Sequence, residues 1–267
     1  MRTVERGSGA PRVAVVGGIH GDEPAGERIV ERLTDTLAVD HGTVQLIIAN
    51  ERALATGERY TDTDLNRAFP GDHESDQYET ALATRLVGVL DGADAVLAIH
   101  TSKSAPPPFA IFSELTDSVR HSVTAMPVEY VLDSRSLRST TLDSVVPHAV
   151  SLEAGHQGSQ RAVDFGLEAT EAFLRAHGVL QDEPAEFTEV TLIKGHKEVP
   201  KGGGRPEVNY QNFERMEVGS VFARDDEVVH EVEREGLVPV LASEDGYDNI
   251  FGIYGTIEGT IDPPADS

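Results

Sequence analysis

The stretch Val13-Ala-Val-Val-Gly-Gly-Ile-His-Gly-Asp-Glu-Pro24 decides how this chain is read. A run of β-branched and small apolar residues has the composition of a buried strand, the glycines permit a tight turn, and proline is favoured in a helix's first turn. The reading is strand, turn and helix, with His20 and Glu23 both on the turn. Imidazole and carboxylate together suit zinc or a similar divalent ion; a catalytic site needs one more protein ligand and a position kept open for water. Taken alone, the same turn is equally a polar connection whose acid caps the helix. What the rest of the chain brings to that turn separates the two.

Working outward, strand-like and helix-like segments alternate through roughly the first 180 residues, the pattern of an α/β domain. The strands are expected at Val13 to Val16, Val44 to Ala49, Ala95 to Ile99, Phe109 to Phe112, Val128 to Leu132 and Ala149 to Leu152. Between them, Ile29, Leu33 and Leu37 recur at helical spacing after Pro24, as do Tyr78, Leu82, Leu86 and Val89, and Val163, Leu167, Thr170 and Leu174. These stripes read as core-facing sides of helices. From Phe187 onward, short alternating runs separated by Gly, Pro and Asn take over, at Glu189 to Ile193, Val218 to Ala223 and Leu237 to Leu241. The expected division is therefore an α/β domain over 1–184 and a smaller all-β domain over 185–267. The Lys201-Gly-Gly-Gly-Arg-Pro segment lacks the following Lys-Ser/Thr and helix of a phosphate loop, and is expected to be a hairpin turn.

The composition narrows the chemistry. With 267 residues the chain can bury an ordinary core, and with no cysteine it has neither a thiolate zinc cluster, a disulfide nor a cysteine nucleophile. Any metal must be held by His, Asp and Glu. The start, Met1-Arg-Thr-Val-Glu-Arg-Gly, lacks the apolar core of a signal peptide, and no apolar run approaches the roughly 20 residues of a membrane span, so a cytoplasmic location is expected. Twenty-two basic residues against 46 acidic ones give a formal net charge of -24, which repels nucleic acid and anionic membranes.

A candidate for the third ligand appears in Ala95-Val-Leu-Ala-Ile-His100-Thr, where a histidine ends another expected strand; the alternative is a polar residue meeting solvent there. In an open α/β sheet, functional groups gather outside the carboxyl ends of the strands, so His20, Glu23 and His100 are expected to converge there. Glu153 follows the strand Ala149-Val-Ser-Leu. A carboxylate beside a metal-activated water accepts its proton and later returns it to a leaving amine; the alternative is a strand-end acid paired with an arginine. Arg59 and Arg67 bracket the aperiodic Tyr-Thr-Asp-Thr-Asp-Leu-Asn segment, read as a loop. One arginine can grip a substrate carboxylate and another can stabilise an oxyanion, or both can pair with surface acids.

Jointly, Gly-Gly-Ile-His20-Gly-Asp-Glu23-Pro, Arg59-Tyr to Asp64-Leu-Asn66-Arg67, Ile-His100-Thr and Leu-Glu153-Ala-Gly resemble the succinylglutamate desuccinylase and aspartoacylase family, relatives of the zinc carboxypeptidases. Asn209-Tyr-Gln-Asn-Phe-Glu and Ser243-Glu-Asp-Gly-Tyr247 resemble segments of its second domain. The resemblance implies a three-layer α/β fold with a mainly parallel or mixed central sheet and a C-terminal β domain. It implies one Zn2+ per chain on His20, Glu23 and His100, Glu153 as general base and acid, and Arg59 polarising the scissile carbonyl. Asn66 and Arg67 would hold a substrate carboxylate, with Tyr247 helping to orient the substrate. There is one departure: the family has a further substrate-binding arginine shortly before the catalytic glutamate, whereas Ser139 to His148 contains none. Arg135 and Arg138 lie just upstream as candidates to replace it.

The function expected is zinc-dependent hydrolysis of the acyl group from an N-acyl amino acid or a related small amide. A carboxypeptidase acting on short peptides and a non-catalytic metal-binding protein are the alternatives; a retained base and retained arginines favour catalysis. Self-association is left open. Arginine outnumbers lysine and the acids are spread along the chain, which fits work in concentrated salt, where screening over a few ångströms removes most of the self-repulsion. Transfer of the purified protein to very low salt should therefore cost both fold and activity. Circular dichroism and turnover that are equal at low and high salt would refute this adaptation.

Overall fold

The computed structural model describes residues 1–104 and 106–265. From the N-terminus, β1 (Arg2–Ser8) and β2 (Arg12–Gly17) lead to α1 (Pro24–Thr36), β3 (Gly42–Ile48), the short α2 (Glu51–Thr56), one 3-10 turn over Leu65–Arg67, and α3 (Tyr78–Leu90). There follow β4 (Ala95–Ser102), β5 (Phe109–Phe112), α4 (Asp117–Ala125), β6 (Tyr130–Asp133), α5 (Leu142–Val145), β7 (Ala149–His156) and α6 (Gln160–Ala176). The remainder is β8 (Val190–Pro200), β9 (Glu207–Val208), β10 (Val221–Arg224), β11 (Val229–Glu231), β12 (Leu237–Val240) and β13 (Ile250–Ile261).

A ten-stranded mixed sheet in the order β1-β3-β2-β4-β7-β5-β6-β8-β13-β12 forms the centre. Strands β3, β2, β4 and β7 run parallel, and their near-continuous apolar sequences follow from burial on both faces. One face packs against α1, α4 and α6 through Ile29, Leu33, Val119, Val123 and Phe173. The other packs against α3 and α5 through Leu82, Leu86 and Leu142, which completes three layers. The three helical stripes read from the sequence face these cores: Ile29, Leu82 and Leu174, for example, have no exposed surface. Where β2 ends, a Cβ on Gly17 would run into the backbone of Gly26, so this glycine lets α1 lie directly on the sheet.

Past residue 185 the described chain has strands and no helix. The central sheet nevertheless continues, because β8 pairs parallel with β6, and β13 and β12 extend the edge. A separate antiparallel sheet, β11-β10-β9, completes this part. The glycine segment after Pro200 does not close a hairpin: β8 and β9 lie in different sheets, and the backbone N–H groups of Gly202 and Gly203 donate to Asp225 Oδ2 at 2.7 and 3.0 Å. It is a crossing between sheets held by a carboxylate of the chain itself.

One buried residue shapes the loop that follows α2. Glu79, fully buried on α3, accepts from the consecutive backbone N–H groups of Thr61 (2.6 Å), Asp62 (2.9 Å) and Thr63 (3.2 Å), and from Asn50 Nδ2 at 3.1 Å. Asn50 in turn caps α2 by accepting from Ala53 N. Burial works to raise the Glu79 pKa, but these donors outweigh it and hold the carboxyl below its ordinary 4.5. A depressed carboxylate pKa stabilises the fold fully above the unfolded value, and that contribution is lost as pH falls through the folded value. Glu79→Ala should therefore cost about 3 kcal/mol at neutral pH by leaving buried donors unmet, read as a lower urea midpoint. The gap between mutant and wild type should narrow in titrations taken below pH 4.5.

Candidate active site

Strand β2 delivers His20 three residues beyond its end, β4 carries His100, and β7 carries Glu153 directly beside His100 in the parallel register. All lie at the carboxyl ends of parallel strands, where the chain leaves the sheet. Gly21 sets the turn close to the next loop: a Cβ there would meet the backbone of Ala53 and Glu58, and its N–H donates to Arg59 O at 3.2 Å. The His20–Glu23 turn and the Arg59 loop are thereby locked together.

Glu23 stands at the N-cap position of α1, yet its side chain makes no capping hydrogen bond. It turns inward instead. His20 Nδ1 lies 2.7 Å from Oε1 and His100 Nδ1 lies 3.3 Å from Oε2, while Arg59 Nη1 donates to Oε1 at 3.2 Å and Thr101 N to Oε2 at 3.0 Å. One ligand atom from each of His20, Glu23 and His100 falls within a 4.8 Å cluster, and all three residues are buried. Burial alone would raise the Glu23 pKa; the two histidines overcome it and hold the carboxyl well below its ordinary value. Burial likewise opposes charge on His20, but Glu23 and Asp64 outweigh both that and Arg59 and raise its pKa.

The donor set fits a divalent metal. Two imidazoles and one carboxylate match a catalytic zinc site with a position left open. The far ring nitrogen of His20, Nε2, sits 3.1 Å from Asp64 Oδ1, the outer contact that fixes a ligating histidine's tautomer and orientation. His20, Glu23 and His100 thus form a buried group able to hold a metal ion.

Around them a cavity of about 640 Å³ is lined by Arg59, Asn66, Arg67, Glu153 and Tyr247 among others. Glu153 is buried, and its Oε2 has no hydrogen-bond partner among the described residues. Burial, reinforced by the Glu23 charge and only partly offset by His100 and Arg59, pushes its pKa up to about 7. Arg59 is bound on one side to Glu23 and on the other to Asp64 Oδ2 through Nε at 3.1 Å. Those two acids raise its pKa against the effect of burial. Asn66 Oδ1 accepts from Leu142 N at 2.9 Å, so its amide N–H2 is the end able to donate to a ligand. Arg67 Nη1 donates to Asn66 O at 2.7 Å. The Tyr247 hydroxyl stays protonated, raised by burial and by the Glu153 charge.

All eight residues singled out in the sequence are therefore brought to one cavity, and the two upstream arginines are separated by it. Arg135 pairs with Asp133 at 2.6 Å away from the lining, whereas Arg138 lines the cavity, paired with Glu198 of β8. Among the residues around the metal-competent group, two receive no role from the sequence. Asp64 joins His20 to Arg59; its visible signal is the short Asp-x-Asn step, in which Asp64 Oδ1 accepts from Asn66 N at 2.8 Å. Glu79 holds the loop between Arg59 and Asp64, and nothing in its own helix stripe announces it.

The chain is similar to known proteins in sequence and in fold. Residues 9–176 match the profile of the succinylglutamate desuccinylase/aspartoacylase catalytic domain. An aspartoacylase from Danio rerio is 28% identical over 172 residues, covering 55% of each protein, so the chain spans about half the length of that relative. The Nα-acetyl-L-2,4-diaminobutyric acid deacetylase of Halomonas elongata is 25% identical over 266 residues, covering 90% of this chain and 76% of its own. In three dimensions, the product-bound ectoine utilization protein of Ruegeria pomeroyi superposes with a TM-score of 0.77 over 96% of this chain and 87% of its own, at 20% identity, a likeness of fold. With the catalytic-domain profile matched over more than half its length, the chain belongs to the succinylglutamate desuccinylase/aspartoacylase family.

Proposed function

We propose that this protein is a zinc-dependent amide hydrolase that removes the acyl group from an N-acyl amino acid or a related small amide. The observation that carries the reading is Glu153: a buried carboxylate with an unpartnered oxygen, pushed up to about 7, beside the His20–Glu23–His100 group. A zinc ion held by those three residues would lower the pKa of a bound water toward 7 and polarise the acyl oxygen. Relatives named as an aspartoacylase and as a deacetylase of an acetylated diamino acid support the deacylase class.

In this reading Glu153 accepts the proton of the attacking water at its unpartnered Oε2 and returns it to the departing amine nitrogen. Arg59, already anchored by Glu23 and Asp64, presents fixed positive charge where the oxyanion develops, so no reorganisation is needed at that moment. The Asn66 amide and the Arg67 guanidinium take the substrate carboxylate, and the Tyr247 hydroxyl donates to bound substrate. Residues 1–184 then carry the chemistry, while 185–267 contribute the cover through Glu198, Leu241, Tyr247 and Ile253, which line the same cavity. A small-molecule volume of about 640 Å³ closed on that side favours an acyl amino acid over an extended peptide.

Two measurements test the assignment. Glu153→Gln should bind zinc with wild-type stoichiometry while kcat falls at least about a hundredfold, the scale of lost general acid–base catalysis. Substantial turnover by that variant would remove Glu153 from the role. A base must be deprotonated to act, so kcat/KM should rise with pH through the Glu153 pKa. An adjacent metal charge draws that pKa down, which sets the midpoint of the ascending limb at or below about 7. A limb centred well above 7 would point to another group.

A further inference from the structure

Three buried carboxylates line the cavity: Glu23, Glu153 and Asp143. Glu23 is engaged by two histidines and an arginine, and Glu153 stands beside them. Asp143, on α5, takes part in neither arrangement. Its Oδ2 accepts from Ser113 Oγ at 2.8 Å and Ser134 Oγ at 3.2 Å, and its Oδ1 accepts from Ser151 Oγ at 3.2 Å. Serine hydroxyls thus face both oxygens, Ser134 sharing its single proton with Phe112 O at 3.0 Å and with Ser113 Oγ at 2.9 Å. Yet no salt bridge reaches Asp143 among the described residues; the partly buried cavity acids Asp64 and Glu198 face Arg59 and Arg138, and the unpaired Asp22, Glu58, Asp245 and Asp248 are more exposed than Asp143.

Asp143 also lies near a cation with which it makes no ion pair. Leu142, the residue before Asp143, is bound through its N–H to Asn66 Oδ1, and Asn66 adjoins Arg67. The Asp143 carboxylate is close enough to act on the Arg67 guanidinium without pairing with it. One wall of the cavity therefore offers a cation and an anion side by side, both held by neutral hydrogen-bonding partners. A buried carboxylate that makes no direct ion pair carries a desolvation cost that a cationic guest in contact with it would offset.

We propose that Asp143 is a specificity-determining residue that receives a cationic group on the amine half of the substrate, so that this chain prefers N-acyl amino acids with a positively charged side chain. The proposal rests on the deacylase reading above, and its test separates the two. The zinc-loaded protein is given Nα-acetyl-ornithine, the neutral Nα-acetyl-norvaline and the anionic Nα-acetyl-glutamate; binding of the free amino acids ornithine, norvaline and glutamate is measured in parallel by calorimetry. The ornithine compounds should exceed the norvaline ones by about tenfold or more in kcat/KM and in affinity, with glutamate weakest, as expected of a site built around one charged contact. In Asp143→Asn, which keeps the size and an acceptor oxygen but removes the charge, the ornithine-to-norvaline ratio should fall to near one. Equal or reversed preference in the wild type overturns the proposal, as does an unchanged ratio in the variant. If the variant does not fold, the wild-type preference decides. Cation-selective binding without hydrolysis of any amide would uphold the subsite and reject the hydrolase.

Discussion

The structure around the cavity depends on one buried carboxylate, that of Glu23. Placing an ion of this kind in a protein interior costs several kcal/mol unless its oxygens are fully addressed. Here four separate donors address them: the rings of His20 and His100, the Thr101 backbone and the Arg59 guanidinium. They come from three different constraints. His20 depends on the turn after β2, His100 and Thr101 on β4, and Arg59 on the loop pinned by Gly21 and Glu79. Shifting any of these by one position would leave a charge unmet, so the carboxylate ties the parallel register to the loop.

Much of this was readable before any coordinates, and the physical reason is locality. Strands buried on both faces must be apolar along their length, so β2, β3, β4 and β7 stand out as runs. Amphipathic helices of 13 or 17 residues show their period, as α1, α3 and α6 do. What escaped was short or non-local. The edge strand β1, Arg2-Thr-Val-Glu-Arg-Gly-Ser, is mostly exposed and has no apolar run, while α2 and α5 hold six and four residues, too few for a period. The continuation of the central sheet past residue 185 rests on β6 pairing with β8, a contact between segments that the composition divides.

The site shows the same split. His20, Glu23 and His100 were legible because metal-ligating types sit at strand ends, a pattern written in neighbouring residues. Glu79 was not, because its function lies in backbone donors 16 to 18 positions earlier in the chain. Asp143 has no signal in its own stretch, Ser139 to His148, since its significance is the lack of a direct ion pair in three dimensions. Residue type marks what can react; only geometry shows what is left unpaired.

The division of labour within the cavity follows from that count of partners. Glu23 and Glu153 are equally carboxylates and both buried, and β4 brings His100 next to each. Glu23 has donors on both oxygens, so its charged form is favoured and its pKa falls. Glu153 has an oxygen with no partner, so burial dominates and its pKa rises to about 7. Environments that push two like groups apart suit them to different tasks, and in the proposed reading the anionic Glu23 serves as a ligand while Glu153, near neutrality, carries a proton. Asp143, faced by serine hydroxyls and making no ion pair, satisfies neither description, and the proposed recognition of a charged guest is a use its surroundings permit.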